Sequence, residues 1–463
     1  MTLGFIAGLS TEASVMLLVC MFAVCFFEAI NGFHDTANAV ATVIYTKTLP
    51  PLFAVIWSGT WNFLGAVLGG VAVAMGIVKL MPINDLMMVS IGENIALVMS
   101  ILIAAIIWNL GTWYMGIPSS SSHTLIGSLL GGGFAFWTVH KGAGPNWGKA
   151  ADIGLSLLVS PLFGFSLAIL LMYILRTTVK KRKRIFSSPE DTKKPPPIWI
   201  RAILITTCTL VSYFHGNNDG QKGVGLALVV LMAFMPINFA LNPQFTNENL
   251  AVSVRKIEAA LLEPTGAPES DASHLSLAKA ASSSAAMIDT TDRKNKVGVY
   301  LIRKEVQGLY KKIDVALKGG VVTGQQAKII KSELKTLNAS YEFSPTWVVA
   351  MIAFCLGIGT MIGWKRIVVT IGEKIGKTHL NYAQGASAEL CAAAVIGVSS
   401  ASGLPVSTTH VLSSGIAGTM VAQGGISNLQ KKTVKNIAIA WLLTLPVTMV
   451  MSALLFLLFR LFA

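Results

Sequence analysis

Apolar runs of about 18 or more residues recur along this chain, each long enough to cross a hydrocarbon core roughly 30 Å thick. They lie near residues 13–47, 52–79, 95–115, 118–137, 153–175, 199–241, 344–364, 383–404, 405–422 and 437–462. Hydrophobic residues make up 53% of the sequence and charged residues only 13%, where a soluble domain carries about 25% charged. A large soluble protein with several buried helices does not fit these numbers. The pattern predicts an all-α polytopic membrane protein, with the lipid bilayer as its first partner. The first and sixth runs are too long and too polar in the middle to be simple spans, so each is expected to be a broken helix or a span with an extension.

The formal net charge is +14. In a soluble chain that excess would suggest nucleic acid. Here it sits in short basic clusters beside apolar runs, which is the signature of membrane topology, and no nucleic acid is expected. The clusters are Lys180-Lys181-Arg182-Lys183-Arg184, Lys365-Arg366 with Lys374 and Lys377, and Lys431, Lys432 and Lys435. With the first in the cytoplasm, a count of crossings places the other two there as well and both termini outside. Cys20, Cys25, Cys208, Cys355 and Cys391 lie in or beside apolar stretches without a CxxC pair. They read as small buried hydrophobes. The first run lacks a basic leader and is not read as a cleavable signal.

The expected organisation is a first membrane repeat over 1–175, a basic cytoplasmic linker over 176–198, and the start of a second repeat over 199–242. A soluble loop over 243–343 follows, placed outside by the crossing count, and 344–463 completes the second repeat. Within the loop, residues 297–340 could form amphipathic helices.

Two motifs occur twice, in the same order. Asn31-Gly32-Phe33-His34-Asp35-Thr36-Ala37-Asn38 in the first half matches His215-Gly216-Asn217-Asn218-Asp219-Gly220-Gln221-Lys222 in the second, through Gly-x-(His/Asn)-Asp. Gly116-Ile117-Pro118-Ser119-Ser120-Ser121-Ser122-His123 matches Gly403-Leu404-Pro405-Val406-Ser407-Thr408-Thr409-His410. Five crossings separate equivalent points. An odd number makes equivalent elements enter the membrane from opposite sides, which is an inverted-topology repeat of the kind secondary transporters use.

A carboxylate within a membrane span is costly unless it lines a cavity or meets a partner. Asp35 and Asp219 stand beside glycines, which permit unwinding and free backbone groups for ligands. The Pro-x-Ser-(Ser/Thr)-(Ser/Thr)-His runs suit an oxyanion, because a proline at a helix start exposes the following N–H groups and the hydroxyls add donors. The alternatives are a capped helix end for each acid and a small-residue packing seam for each hydroxyl run. Together the four motifs offer acceptors and donors. The acids can take a proton from hydrogen phosphate or hold a bridging cation, whereas doubly deprotonated sulfate has no proton to offer. Glu28 and Glu389 are further acids in apolar runs and candidate proton or cation relays. His123 and His410 are candidate proton carriers or helix anchors. Lys222 could neutralise an anion or pair with Asp219. Asn109 and Gln384 read as packing residues, and Trp57, Trp61, Trp199 and Trp347 as interface anchors. No Walker loop, metalloprotease motif, GxSxG or dinucleotide fingerprint is present. Neither an enzyme, an ATP-driven pump nor a resident cofactor is expected.

These residues resemble the PiT family of inorganic phosphate transporters, and within it the bacterial low-affinity members. The family carries Gly-x-Asn-Asp and Gly-x-Pro-x-Ser-Thr-Thr-His signatures in both halves. Glu-Ala-Ile-Asn-Gly-Phe-His-Asp-Thr-Ala-Asn-Ala at 28–39 and Asn-Asp-Gly-Gln-Lys-Gly at 218–223 carry the likeness. It covers nearly all of the membrane-embedded chain. The resemblance implies helical hairpin-like elements and phosphate bound between the two halves. Asp35 and Asp219 then take the acidic role, helped by Asn38 and Asn218. Ser119, Ser120, Ser121, Ser122, Ser407, Thr408 and Thr409 contact phosphate or coupling cations. It further implies phosphate carried as a neutral complex with a divalent metal such as magnesium, with Asp35 and Asp219 as the metal's ligands, symported with protons. A homodimer in the bacterial inner membrane, with both termini periplasmic, completes the expectation. His34 replaces the signature Asn, which puts a sodium site in doubt and fits proton coupling, since imidazole titrates near neutrality. Ser120-Ser121-Ser122 replaces Ser-Thr-Thr. The rivals are sodium-coupled phosphate or sulfate transport and, from another class, a membrane phosphate sensor or receptor.

Overall fold

The computed structural model describes residues 9–179, 183–187, 196–263, 268–363 and 365–462. Lys180, Lys181 and Arg182 of the first basic cluster, and residues 188–195 of the proline-rich linker, lie outside the described residues. The regular elements are helices: α1 (Thr11–Asp35), α2 (Ala37–Tyr45), α3 (Pro51–Leu68), α4 (Ala72–Leu80), α5 (Ile83–Leu86), α6 (Ile91–Tyr114), α7 (Ser121–His140), α8 (Trp147–Thr178), α9 (Ile198–His215), α10 (Gln221–Phe234), α11 (Pro236–Phe239), α12 (Asn247–Leu262), α13 (Pro268–Thr290), α14 (Lys296–Lys318), α15 (Gly324–Ala339), α16 (Thr346–Met361), α17 (Lys365–Glu373), α18 (Tyr382–Ala401), α19 (Thr408–Gly424) and α20 (Lys431–Phe459). Six helical stretches among the described residues are long and apolar enough to span a membrane: Thr11–Tyr45, Pro51–Leu68, Ile91–Tyr114, Trp147–Thr178, Ile198–Phe234 and Lys431–Phe462.

The chain falls into two compact units. The larger comprises Leu18–Pro82, Ile95–Ala227 and Pro345 onward. Its outer helices carry bare apolar side chains: Phe22 is 71% exposed, Leu158 70% and Leu442 77%. Faces this apolar suit lipid rather than water. Helices α7 and α19 are the opposite case, buried along most of their length.

Packing in this unit is reciprocal. Helix α7 of the first half lies along α20 of the second, and α19 of the second half lies along α8 of the first. Helices α3 and α16 cross at Gly59 and Gly357. A Cβ on Gly59 would meet the Gly357 carbonyl oxygen at 2.7 Å, and one on Gly357 would meet the Gly59 carbonyl oxygen at 3.1 Å. Small residues allow this backbone-to-backbone approach, which replaces hydrophobic drive between membrane helices. Both terminal helices of the halves carry an interior proline, Pro161 in α8 and Pro446 in α20.

The long first and sixth runs are interrupted in two ways. At Thr36 the helix is locally perturbed but stays right-handed (φ −50°, ψ −39°), and the Thr36 Oγ1 donates to Gly32 O (2.6 Å) and to Thr360 O on α16 (2.8 Å). In the sixth run a single π turn, Gly216–Gly220, joins α9 to α10. The run at 52–79, expected as one span, is two helices parted at Gly69–Val71, where Gly70 takes φ +77°.

The smaller unit contains Ile83–Asn94 and Leu228–Ser344 with residues 9–17. The stretch expected as a loop over 243–343 holds four helices, α12 to α15. In α14, Val299, Ile302, Val306, Leu309 and Ile313 are buried at helical spacing. Thr246 and Asn249 form a capping box at the start of α12, and the Asn295 side chain caps α14 through Gly298 N at 2.8 Å. Arg303 is buried, donates to the carbonyls of Ala240 and Tyr341, and stacks 5.8 Å over the Tyr341 ring. That burial lowers its guanidinium pKa to about 10.

Candidate functional site

The site is built in the larger unit by the two repeated motif pairs. Each hydroxyl motif follows a helix that ends on a left-handed glycine. Gly116 and Gly403 both have φ +67°. Ile117 N donates to Thr112 O and Leu404 N to Ser399 O, each at 2.9 Å. This is the Schellman arrangement, which needs a residue without Cβ at that position. Gly116→Ala and Gly403→Ala are each expected to destabilise the protein by about 1–2 kcal/mol, read as a lower thermal midpoint of the purified chain.

Four extended residues follow each glycine before the buried helix begins. The prolines, Pro118 and Pro405, lie in that extended approach and not at the helix start as the sequence suggested. Serines take the capping position. Ser120 Oγ accepts from His123 N and Ser407 Oγ from His410 N, both at 3.1 Å. A short polar side chain satisfies an unpaired N–H at the first turn, so these two hydroxyls face their own backbone.

Two of the other hydroxyls, Ser121 and Thr409, reach the acids. Asp35 Oδ1 accepts from Thr409 Oγ1 (2.6 Å) and lies 3.1 Å from His34 Nδ1, while its Oδ2 accepts from Ser121 Oγ (2.8 Å). Asn38 Nδ2 donates to the same Thr409 hydroxyl at 3.0 Å. Asp219 Oδ1 accepts from Lys222 Nζ at 2.7 Å, and its Oδ2 lies 3.5 Å from Ser121 Oγ. Lys222 also donates to Ser122 Oγ (2.5 Å) and Val406 O (2.9 Å). Ser119 Oγ lies 3.3 Å from His34 Nε2 and donates to Thr112 at 2.9 Å. Asn218 ties the second motif together, donating to Ser400 Oγ (2.9 Å) and accepting from Val406 N (3.1 Å). All of these side chains are buried.

His215 joins the two acids, and the sequence reading did not single it out. Its Nε2 is 3.8 Å from Asp35 Oδ2 and 3.7 Å from Asp219 Oδ2. Asp35, His215 and Asp219 present ligand atoms within 4.8 Å of one another. The available signal was an imidazole one helical turn before Asp219 on the same apolar run. Thr112 and Asn62, which hold His34 and His215, carried no such signal.

This chain matches known proteins along nearly its whole length. The sequence profile described as the phosphate transporter family covers residues 31–452. The chain is 41% identical over 489 aligned residues to the low-affinity inorganic phosphate transporter PitA of Escherichia coli (strain K12), covering 97% of this chain and 98% of that protein. The chain belongs to the phosphate transporter family. It is also 40% identical over 474 residues to a low-affinity inorganic phosphate transporter of Buchnera aphidicola subsp. Acyrthosiphon pisum (strain APS), covering 96% of each. A solved structure titled the sodium-dependent phosphate transporter matches with a TM-score of 0.56 at 21% identity, over 97% of this chain and 100% of that one. The helical fold is therefore shared with that solved structure.

The remaining candidate residues of this family member stand apart from the Asp35–His215–Asp219 cluster. Glu28 accepts from Asn31 Nδ2 (3.2 Å), and its Oε2 packs where a Cβ on Gly223 would fall. Glu389 accepts from Thr42 and from Thr207 Oγ1 (2.5 Å), joining α18 to α2 and α9. His123 and His410 face each other with ring centroids 4.6 Å apart, and His410 stacks on Trp441 at 3.9 Å. Thr408 is buried with its Oγ1 unbonded among the described residues. Gln384 serves as a capping-box partner for Asn381. The five cysteines are free thiols.

Proposed function

We propose that this chain imports inorganic phosphate across a membrane by secondary active transport, taking it as a divalent metal-phosphate complex together with protons. The observation that carries the reading is the meeting of Asp35 and Asp219, one from each half, around His215, with one hydroxyl of each Ser/Thr run, Ser121 and Thr409, turned onto them. Acids alone repel an anion. Acids with a cation between them and donors at hand form a place where a metal and an oxyanion are held together. The names carried by the relatives support phosphate as the anion.

Reciprocal packing of α7 on α20 and α19 on α8, and of Gly59 on Gly357, supports an inverted repeat, the geometry alternating access requires. Glu389, with two hydroxyl donors and no cationic partner among the described residues, is a reasonable proton site. A homodimer in a bacterial inner membrane with both termini periplasmic belongs to the same reading.

Uptake of labelled phosphate into vesicles tests it, run across pH, with and without magnesium, with sodium removed and with a protonophore. Uptake is expected to need the divalent metal, to collapse with the protonophore and to survive sodium removal. Sodium-dependent uptake that persists with the protonophore would remove proton coupling. Failure of the purified chain to exchange phosphate in proteoliposomes would favour a sensor.

A further inference from the structure

We propose that His215 is the third ligand of a cation site formed with Asp35 and Asp219, and that it makes this site prefer a divalent first-row transition metal over magnesium. The inference rests on the metal-phosphate reading above and concerns which metal accompanies the anion.

Two carboxylates by themselves make a hard oxygen site, which suits magnesium. The imidazole changes that. His215 is 2% exposed, and its Nε2 has no hydrogen-bond partner among the described residues. Its Nδ1 lies 2.9 Å from Asn62 Oδ1. The Asn62 amide is oriented by its own Nδ2, which donates to Thr360 Oγ1 at 2.9 Å. An amide oxygen accepts only, so Nδ1 carries a proton, and in the neutral ring Nε2 presents a lone pair to the acids. Metal-bound histidines are held in this way by their second nitrogen.

The acids are arranged to match. In each, one oxygen is tied to the scaffold: Asp35 Oδ1 by Thr409 and Asp219 Oδ1 by Lys222. The other oxygens, both Oδ2, face His215 Nε2 at 3.8 and 3.7 Å. An ion about 2.1 Å from each donor leaves the donors about 3–4 Å apart. Ser121 Oγ, 2.8 Å from Asp35 Oδ2 and 3.5 Å from Asp219 Oδ2, adds a neutral oxygen at the same point. Lys222 offsets one carboxylate. A divalent ion therefore leaves the site with one positive charge, which attracts hydrogen phosphate. Magnesium demands a near-regular shell of oxygens and keeps its waters, whereas imidazole nitrogen suits the later first-row metals.

The test uses the full-length purified chain with inorganic phosphate present. Co2+ is titrated by its visible absorption and Mg2+ by calorimetry. Co2+ is expected to bind at least about tenfold more tightly than Mg2+ in the parent protein. His215→Gln should weaken Co2+ at least about tenfold and leave Mg2+ within about twofold. Asn62→Ala, which leaves the ligand in place, should weaken Co2+ by a smaller factor in the same direction. Unchanged Co2+ affinity in both variants overturns the proposal, and so does equal weakening of both metals. Phosphate counterflow by the parent protein is measured separately. If it is absent, the transport reading fails whatever the metal affinities are.

Discussion

Asp219→Asn is expected to cut phosphate uptake by a factor of about a hundred or more in a protein that still inserts in the membrane. Asparagine keeps the shape of the side chain, so packing around α10 is preserved. Its chemistry is wrong at both oxygens. Asp219 Oδ1 faces the Lys222 ammonium at 2.7 Å, and Oδ2 faces His215 Nε2 and Ser121 Oγ at 3.7 and 3.5 Å. If the amide nitrogen turns to Lys222, a donor meets a buried cation. If it turns the other way, a donor points where a cation is needed. Either way the charge that attracts the cation is gone. Truncating one partner of a buried hydrogen-bonded charge pair costs about 2–5 kcal/mol of binding, and each 1.36 kcal/mol is about tenfold in rate. The measurement is labelled-phosphate uptake in vesicles, normalised to protein in the membrane, with an elution profile in detergent to confirm folding. Uptake within about twofold of the parent would remove the acid from the mechanism.

Lys222→Met should destabilise the fold more than Lys222→Met combined with Asp219→Asn. Lys222 is 2% exposed and makes three bonds, to Asp219, Ser122 and the Val406 carbonyl. Removing the ammonium leaves the Asp219 carboxylate buried beside Asp35 without its cation. That situation costs about 3–5 kcal/mol. The double variant has no charge left to desolvate at Asp219 and should recover most of the loss. Thermal unfolding of the four proteins in one detergent gives the coupling directly. Equal midpoints for the single and double variants would mean that Lys222 acts only by its length. The double variant should not transport, because it lacks the acid.

Much of this architecture was readable from the residues. Asp35 and Asp219 stood out because an acid in an apolar run is expensive and is retained for a reason. The paired Gly-x-Pro motifs pointed to two equivalent elements, and the matching +67° at Gly116 and Gly403 shows the same backbone at both places. Helix α13 was not legible: its Ala- and Ser-rich sequence has weak apolar periodicity, and helices of that kind form when packing on a neighbour stabilises them. Helix α12 did carry the signal, with Leu250, Val254, Ile257 and Leu261 at helical spacing.

The division of labour among the serines was also invisible. Ser119, Ser120, Ser121 and Ser122 are chemically alike in a list. Ser120 caps its own helix, Ser121 reaches Asp35, and Ser122 meets Lys222. The distinction depends on where the helix starts, and that start lies three residues after the proline rather than at it.

By itself the sequence determined that the chain is helical, lives in a membrane, repeats its motifs and places acids where they are costly. These are local properties, set by composition and by spacing over a few turns. Only the tertiary structure decided that Thr409 serves Asp35 across 374 positions, that Glu389 is held by Thr42 and Thr207, and that His215 stands between the acids. Such contacts are settled by how glycine-faced helices close on one another, and helix packing angles and offsets are not written in any single segment.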